Sequence, residues 1–243
     1  MKMENMQLAS GNLLYGWLSV FAFTFFLSGS MAAQDQIYDN FEGSKVITYG
    51  ERFGVLDSAV KNPAPNDVNS SSKCALYVRN GSKKFANIKM SLDRKLTGVE
   101  KYATYEGVPP RIKMKVYTTA PAGTLVEVLL GSKRGNNDYP AGTHSQYQAY
   151  TSTNNEWEEL EFKFSQIPQG SETTADEIDQ IVLLFNPNSS TSDAYYFDEL
   201  TGPGLGNEVV PADQKSRGEA PAEKQGKEKS KVLGKRSGDK KAK

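Results

Sequence analysis

The amino-acid sequence predicts an all-β chain that folds as an antiparallel two-sheet β-sandwich of the jelly-roll type. Between about residues 36 and 203, apolar and polar residues alternate with period two in runs rich in β-branched and aromatic residues. Clusters of Gly, Pro, Asn and Ser separate these short runs. Strands do not alternate with long helical segments, as they would in a parallel sheet. These three observations favour two packed antiparallel sheets.

Seven segments are the clearest strand candidates. In the segment from Arg111 to Thr118, Ile112, Met114 and Val116 alternate with polar residues, which predicts one buried face and one wet face. The other six show similar patterns, and turn clusters lie between them. They are Cys74 to Arg79, Thr124 to Gly131, Ser145 to Thr151, Glu158 to Phe164, Ile181 to Asn186 and Ala194 to Leu200.

The first 33 residues have the layout of a signal peptide. Lys2 precedes an apolar run from Leu13 to Leu27, and small residues follow it up to Ala33. The apolar run is shorter than the roughly 20 residues of a membrane-spanning helix. We therefore expect cleavage after Ala32 or Ala33 and a secreted, periplasmic or cell-surface protein, with an uncleaved anchor as the alternative.

Residues 204–243 have the composition of a disordered tail. After Gly204 the chain has eleven Lys or Arg and six Asp or Glu, with few large apolar residues. Such a segment buries too little apolar surface to offset the entropy lost on ordering. Its basic end, Lys231 to Lys243, is suited to contact anionic envelope polymers or lipid headgroups. The predicted domains are therefore a signal peptide (1–33), a sandwich (34–203) and a tail (204–243).

The sequence offers few catalytic patterns. It has one histidine, His144, and one cysteine, Cys74, and it lacks both a G-x-S-x-G elbow and a phosphate-binding glycine loop. Only Glu156, Glu158 and Glu161 suggest carboxylate chemistry, and Glu158 and Glu161 would face opposite ways on a regular strand. We therefore expect that the chain is not an enzyme.

Carboxylates at both ends of the sandwich suggest a structural metal. Asp39 and Glu42 lie in the first strand candidate, and Asp198 lies in the last. The first and last strands of a Greek-key sandwich often lie side by side, and calcium prefers oxygen ligands. Unrelated carboxylates in water are the alternative.

Five short motifs carry a family resemblance that covers Gln36 to Pro203. The motifs are Tyr38-Asp39-Asn40-Phe41-Glu42-Gly43, residues 139–147, Glu156-Trp157-Glu158-Glu159-Leu160, Leu184-Phe185-Asn186-Pro187 and Tyr195-Tyr196-Phe197-Asp198. In these motifs the chain resembles galactose-binding-like jelly-roll modules, which are attached to secreted glycan-degrading enzymes of Bacteroidetes-type bacteria. This resemblance implies binding of a poly- or oligosaccharide and a structural calcium ion at Glu42 and Asp198, with Asp39 as a further ligand.

Sugar-binding candidates are the aromatic and arginine side chains expected on outward positions. Sugar rings stack on aromatic faces, and polar side chains bond their hydroxyl groups. The alternation predicts that Tyr77 and Arg79 point away from Leu76 and Val78. For each tyrosine, the alternative is an amphipathic residue that covers a sheet edge. The candidates are Tyr77, Arg79, Arg111, Tyr117, Tyr139 and Tyr147.

These observations predict an exported, non-catalytic carbohydrate-binding module with a structural calcium ion. One alternative is an exported scaffold or adhesion protein whose basic tail contacts anionic surface polymer. Another is a small jelly-roll glycan-cleaving enzyme that uses the glutamates near Trp157. We expect a monomer and no nucleic-acid partner.

Overall fold

In a computed structural model, residues 35–133 and 139–210 are described. Apart from a short 3₁₀ turn at Val99–Lys101, the regular structure in these ranges is β-strand. No helix within them has the length and apolar character needed to cross a membrane. The strands are β1 (Gln36–Asp39), β2 (Ile47–Arg52), β3 (Gly54–Lys61), β4 (Lys73–Arg79), β5 (Asn87–Leu92), β6 (Arg94–Leu96), β7 (Ile112–Thr118), β8 (Leu125–Gly131), β9 (Thr143–Tyr150), β10 (Trp157–Gln166), β11 (Gln180–Phe185), β12 (Ala194–Gly202) and β13 (Leu205–Val209).

Eleven strands form the two antiparallel sheets of the sandwich, and β6 and β13 form a separate two-stranded sheet. The first sheet has the order β3-β4-β12-β7-β10, and β1 pairs with the end of β12. The second sheet has the order β2-β5-β11-β8-β9-β10. The all-β sandwich predicted from the sequence is confirmed, and the seven predicted strands correspond to β4 and β7 to β12.

Strand β10 belongs to both sheets. Its first part, Trp157–Phe162, pairs with β7 in the first sheet, and its last part pairs with β9 in the second. The register shifts between Phe164 and Gln166, which is typical of a strand that turns a corner between sheets. A gap therefore opens between the end of β9 and the start of β10.

The core lies between the two sheets, and strand alternation fills it from both sides. On β7, Ile112, Met114 and Val116 are almost fully buried, as the sequence predicts. The two sheets share one continuous cluster of buried apolar side chains. Besides those of β7, its main members are Ala75, Tyr77, Ile88, Met90, Leu92, Val126, Val128, Leu130, Tyr147, Leu160, Phe162, Ile181, Leu183, Phe185, Tyr195 and Phe197.

A loop between β3 and β4 covers part of the outer face of the first sheet. The indole Nε1 of Trp157 donates to Asn62 Oδ1 at 2.9 Å. Asn69 Nδ2 donates to Asp198 Oδ2 at 3.1 Å. These two buried asparagines fasten the loop to β10 and β12, so Trp157 is a packed side chain and not an exposed platform.

Regular structure continues beyond the domain boundary predicted at residue 203. Leu205–Val209 form β13, which pairs with β6, and Val210 is buried. Composition alone placed these residues in the tail because only Leu205, Val209 and Val210 among them are large and apolar. The predictions for residues 1–33 and for 211–243 lie outside the described residues.

The core assignment predicts a large loss of stability for Met114→Ala. Met114 is 0% exposed, so the substitution removes buried apolar contacts and leaves a cavity. We expect a loss of about 2–5 kcal/mol in the free energy of unfolding, measured by urea denaturation. Lys113→Ala, on the outward face of the same strand, should cost about 1 kcal/mol or less. Equal losses for the two variants would contradict the assigned orientation of β7.

Candidate functional site

The outer face of the first sheet is charged, and its charges pair with one another. Lys113 Nζ lies 3.2 Å from Glu159 Oε1 and 2.9 Å from Glu161 Oε1. Lys115 Nζ lies 2.7 Å from Glu199 Oε2. Such cross-strand pairs are typical of a solvated sheet face. This face therefore offers little exposed apolar surface to a ligand.

The outer face of the second sheet has a groove of about 600 Å³. It crosses β2, β5, β11, β8 and β9, which are consecutive neighbours in the sheet. The strand register indicates that it runs diagonally, from Phe53 and Phe85 at one end to Tyr139 at the other. The lining residues are Glu51, Phe53, Phe85, Asn87, Lys89, Leu125, Glu127, Leu129, Tyr139, Thr143, Gln146, Val182, Leu184, Pro187 and Asn188.

The floor of the groove is apolar, and aromatic rings stand at its ends. Leu129 and Leu184 are almost buried on the outward face of β8 and β11, beside the half-buried Val182. Phe85 is 59% exposed and Tyr139 is 56% exposed. Exposed aromatic rings in a concave apolar site are available for contact with a ligand.

A hydrogen-bonded polar row crosses the same face. Glu127 Oε1 accepts hydrogen bonds from Gln146 Nε2 at 2.8 Å and from Gln148 Nε2 at 2.5 Å. Gln146 Oε1 in turn accepts from Gln166 Nε2 at 3.0 Å. These bonds fix the orientation of the Glu127 carboxylate, which is 8% exposed. The groove therefore presents a fixed carboxylate beside an apolar floor.

The edge of the groove near β2 and β5 carries further polar groups. Lys89 Nζ pairs with Glu51 Oε2 at 2.8 Å. The buried Oδ1 of Asn87 accepts no hydrogen bond from the described part of the chain. It is therefore an acceptor that a ligand hydroxyl group or water can satisfy.

The loop that follows β11 forms part of the groove wall. Asn186 and Asn188 adopt left-handed backbone conformations, with φ of 50° and 59°. Asparagine tolerates this region better than most residues. The Asn-Pro-Asn sequence therefore turns the chain sharply and brings Pro187 and Asn188 to the groove.

Sequence reasoning missed the floor of this groove, although a pattern in the sequence indicated it. Residues 181–185 and the pair Leu129 and Leu130 are apolar without alternation. A strand that reads as a continuous apolar run has apolar side chains on both faces. In the structure one set enters the core and the other lines the groove.

Two of the predicted sugar-binding residues on β4 face inward, so their predicted outward orientation is wrong. Tyr77 is 0% exposed, and its hydroxyl donates to the carbonyl oxygen of Phe53 at 2.6 Å. Burial raises the pKa of Tyr77 to about 12. Arg79 is 1% exposed, and its guanidinium donates to the backbone carbonyl oxygens of Phe185 and Thr191. Leu76 and Val78 take the outward positions and are half-buried.

The other four candidates are separated from one another. Tyr147 is also buried, and its hydroxyl accepts from Ser145 Oγ at 3.0 Å, so it cannot meet a ligand. Arg111 lies at the start of β7 in the first sheet and donates to the Pro109 carbonyl at 3.2 Å. Tyr117 packs against Trp157 and Tyr196 on that sheet. Tyr139 alone among the six lines the groove.

The glutamates near Trp157 do not form a pair of facing carboxylates. Glu158 and Glu161 lie on opposite faces of the regular part of β10. Glu158 Oε2 accepts from the Ser152 backbone N–H at 2.8 Å, and Glu161 pairs with Lys113. Glycosidases need two carboxyl groups across one bond. This run therefore stabilises β10 and the loop before it.

The carboxylates predicted to bind calcium are held by different partners. Glu42 Oε1 accepts from Ser72 Oγ at 2.9 Å and from the Lys73 backbone N–H at 2.8 Å. Asp198 is fully buried, and this burial raises its pKa to about 6. Asp39 Oδ2 accepts from the Tyr49 hydroxyl at 3.2 Å. In the described ranges, no three His, Cys, Asp or Glu side chains group as a metal site.

No protein-family model and no curated protein matches the chain. One similar solved structure is the family 11 carbohydrate-binding module from Clostridium thermocellum in complex with a β-1,3-1,4-mixed-linked tetrasaccharide. It is 14% identical to this chain, with a TM-score of 0.45, and the match covers 70% of this chain and 96% of that one. The C-terminal family 22 carbohydrate-binding module of Clostridium thermocellum Xyn10B is 17% identical, with a TM-score of 0.40 and coverage of 73% and 99%. An exo-β-agarase is 6% identical, with a TM-score of 0.42 and coverage of 72% and 25%. These likenesses concern the β-sandwich fold alone.

The burial pattern predicts which tyrosines react with tetranitromethane in the folded protein. Tyr139 should be nitrated readily because it is 56% exposed, whereas Tyr77 and Tyr147 are buried and should stay unmodified. Mass spectrometry of tryptic peptides measures each site, and Tyr105, which is 73% exposed, serves as the positive control. All four should react in urea. Nitration of Tyr77 at the rate of Tyr139 would contradict this arrangement.

Proposed function

We propose that the chain is a non-catalytic carbohydrate-binding module and that it binds a poly- or oligosaccharide in the groove of the second sheet. The observation that carries this proposal is the groove itself. It combines exposed aromatic rings, Phe85 and Tyr139, with the fixed carboxylate of Glu127 on one concave face. The outer face of the first sheet has no comparable combination among the described residues.

The chemistry of the groove suits a sugar because sugars are amphipathic. The C–H faces of a pyranose ring pack on aromatic and aliphatic side chains, while its hydroxyl groups donate and accept hydrogen bonds. Phe85, Tyr139 and the leucine floor supply the first kind of contact. Glu127 and Asn87 supply oriented acceptors for hydroxyl donors. Both kinds of contact are therefore available along one path.

The length of the groove favours several linked sugar rings over a single one. It crosses five neighbouring strands. At a strand spacing of 4.7–4.9 Å, five strands span about 19 Å. A volume of about 600 Å³ also lies within the usual range for ligand sites.

The finer features follow from the sequence and are part of the proposal. The module is exported, and it is of the galactose-binding-like kind found in secreted glycan-degrading proteins of Bacteroidetes-type bacteria. The five motifs between Tyr38 and Asp198 support the subtype. The apolar run from Leu13 to Leu27 and the small residues after it support export.

A structural calcium ion at Glu42 and Asp198, with Asp39 as a further ligand, is the second part of the proposal. Glu42 bonds to Ser72 and Lys73, and Asp198 bonds to Asn69, so both carboxylates contact the same short segment. Calcium accepts backbone carbonyl oxygens and water in addition to carboxylates. An ion there would connect this segment to β12 and to the residues that follow β1.

The glycan proposal predicts that Tyr139→Ala and Phe85→Ala each weaken binding at least about tenfold, or about 1.4 kcal/mol. Each substitution removes an exposed ring at one end of the groove. Affinity gel electrophoresis against a panel of soluble polysaccharides identifies the bound glycan, and isothermal titration calorimetry then gives Kd. Tyr105→Ala is the matched control, because Tyr105 is exposed and lies outside the groove.

Two outcomes would overturn the proposal. One is that no polysaccharide of the panel retards the wild-type chain. The other is that Tyr105→Ala weakens binding as much as the groove variants do, which would move the site to the gap between β9 and β10.

The calcium proposal predicts that a chelator lowers the thermal midpoint and that added calcium restores it. A ligand that binds only the native state stabilises it by mass action, by about 2.7 kcal/mol at one hundred times Kd. Glu42→Gln should abolish the response, whereas Glu159→Gln, on the outer face of the first sheet, should preserve it. A thermal midpoint that does not change when chelator is added would contradict the calcium proposal.

A further inference from the structure

Arg79 is a buried arginine whose guanidinium bonds only to backbone carbonyl oxygens in the described part of the chain. Nε donates to the carbonyl of Phe185 at 3.0 Å, and Nη1 donates to that of Thr191 at 2.7 Å. Nη2 donates to the carbonyls of Lys83, Lys84 and Ser189 at 2.9, 2.7 and 2.7 Å. No carboxylate in the described ranges lies within ion-pair distance of it.

The five carbonyl groups belong to two segments that form one wall of the groove. Lys83 and Lys84 immediately precede Phe85, an aromatic ring of the groove. Phe185, Ser189 and Thr191 surround Pro187 and Asn188, which also line it. Arg79 thus fastens both segments from beneath, while the groove residues face outward.

Next to the first segment, Gly81 lies close to the end of the second one. A Cβ atom at this position would lie 2.6 Å from Ser192 Oγ and 3.0 Å from the carbonyl oxygen of Ser190. A side chain there would therefore displace the Ser192 hydroxyl and press on the Ser190 backbone. Two features hold the wall in place: the buried guanidinium of Arg79 and the close contact at Gly81.

We infer that Arg79 is the positioning residue of the glycan groove, an inference that rests on the proposed function. It holds the segments 83–85 and 185–191 as one wall, so that Phe85, Pro187 and Asn188 are already in place when the ligand arrives. A preorganised wall spares the cost of ordering loops on binding. Arg79 itself does not touch the ligand, because it is 1% exposed.

This positioning role requires several donors in one plane, and the guanidinium group supplies them. Arginine presents five N–H donors in fixed directions, and here its three nitrogens reach five carbonyls. Lysine retains the positive charge and much of the apolar stem, but it has three donors on one nitrogen. It cannot reach both segments in the same geometry.

The experiment compares Arg79→Lys with Arg94→Lys, a half-buried arginine of β6 that lies outside the groove. Calorimetry measures Kd for the glycan that the wild type binds best, and hydrogen exchange mass spectrometry follows the two segments. For Arg79→Lys we expect Kd to rise about tenfold and exchange to accelerate by a similar factor in residues 80–86 and 185–192 only. Arg94→Lys should change neither quantity.

A second variant separates positioning from folding. Gly81→Ala leaves Arg79 intact but crowds Ser190 and Ser192 at the end of the second segment, so it should also raise Kd and accelerate exchange there. If Arg79→Lys unfolds, the Gly81→Ala result decides. Unchanged exchange in the two segments, or unchanged affinity with faster exchange, overturns the inference. If the wild type binds no polysaccharide, the proposed function fails, and the inference about the groove fails with it, whatever the exchange data show about the two segments.

Discussion

The contact of one aromatic ring with three others joins the two sheets. Phe185, at the end of β11 in the second sheet, stacks on Tyr195 with ring centroids 4.5 Å apart. It also lies 5.8 Å from both Tyr77 and Phe197 of the first sheet. Aromatic side chains bury large areas and prefer such offset and tilted geometries. Because Phe185 also accepts the Arg79 hydrogen bond through its carbonyl group, the core and the groove wall meet at this residue.

The two outer faces differ in which side chains occupy their outward positions. On the first sheet, the loop over Trp157 and the ion pairs of Lys113 and Lys115 occupy the outward positions. On the second sheet, Val182 and Leu184 face outward and line the groove. Apolar side chains on an open concave face contribute little to stability, and such surfaces commonly mark binding sites. This difference between the two faces therefore favours the second sheet as the location of a binding site.

Period-two alternation was sufficient to predict the fold class and seven strands, but it did not predict for every strand which face points to the core. On β7 the lysines distinguish the two faces, and the prediction was right. On β4 the polar side chains Tyr77 and Arg79 face inward, while the apolar Leu76 and Val78 face outward and are half-buried, so polarity indicated the wrong side. Strands β2 and β3 were missed because most of their residues are exposed at the sheet edges. The groove combines residues from five strands and four connecting loops, and the pairing of distant strands cannot be predicted from a local sequence pattern.

Burying an arginine beneath the groove costs free energy, and this cost indicates that the residue has a role beyond core packing. Removing a guanidinium from water carries a desolvation penalty of several kcal/mol, and replacement of buried charges by apolar residues often stabilises proteins. Here an apolar residue would leave the carbonyl groups of Lys84, Ser189 and Thr191 without this donor. The two segments would then have to turn toward water, since buried carbonyls need partners. A fold that needed only a packed core could omit both the arginine and this loop geometry. The shape of the groove wall is the feature that requires them.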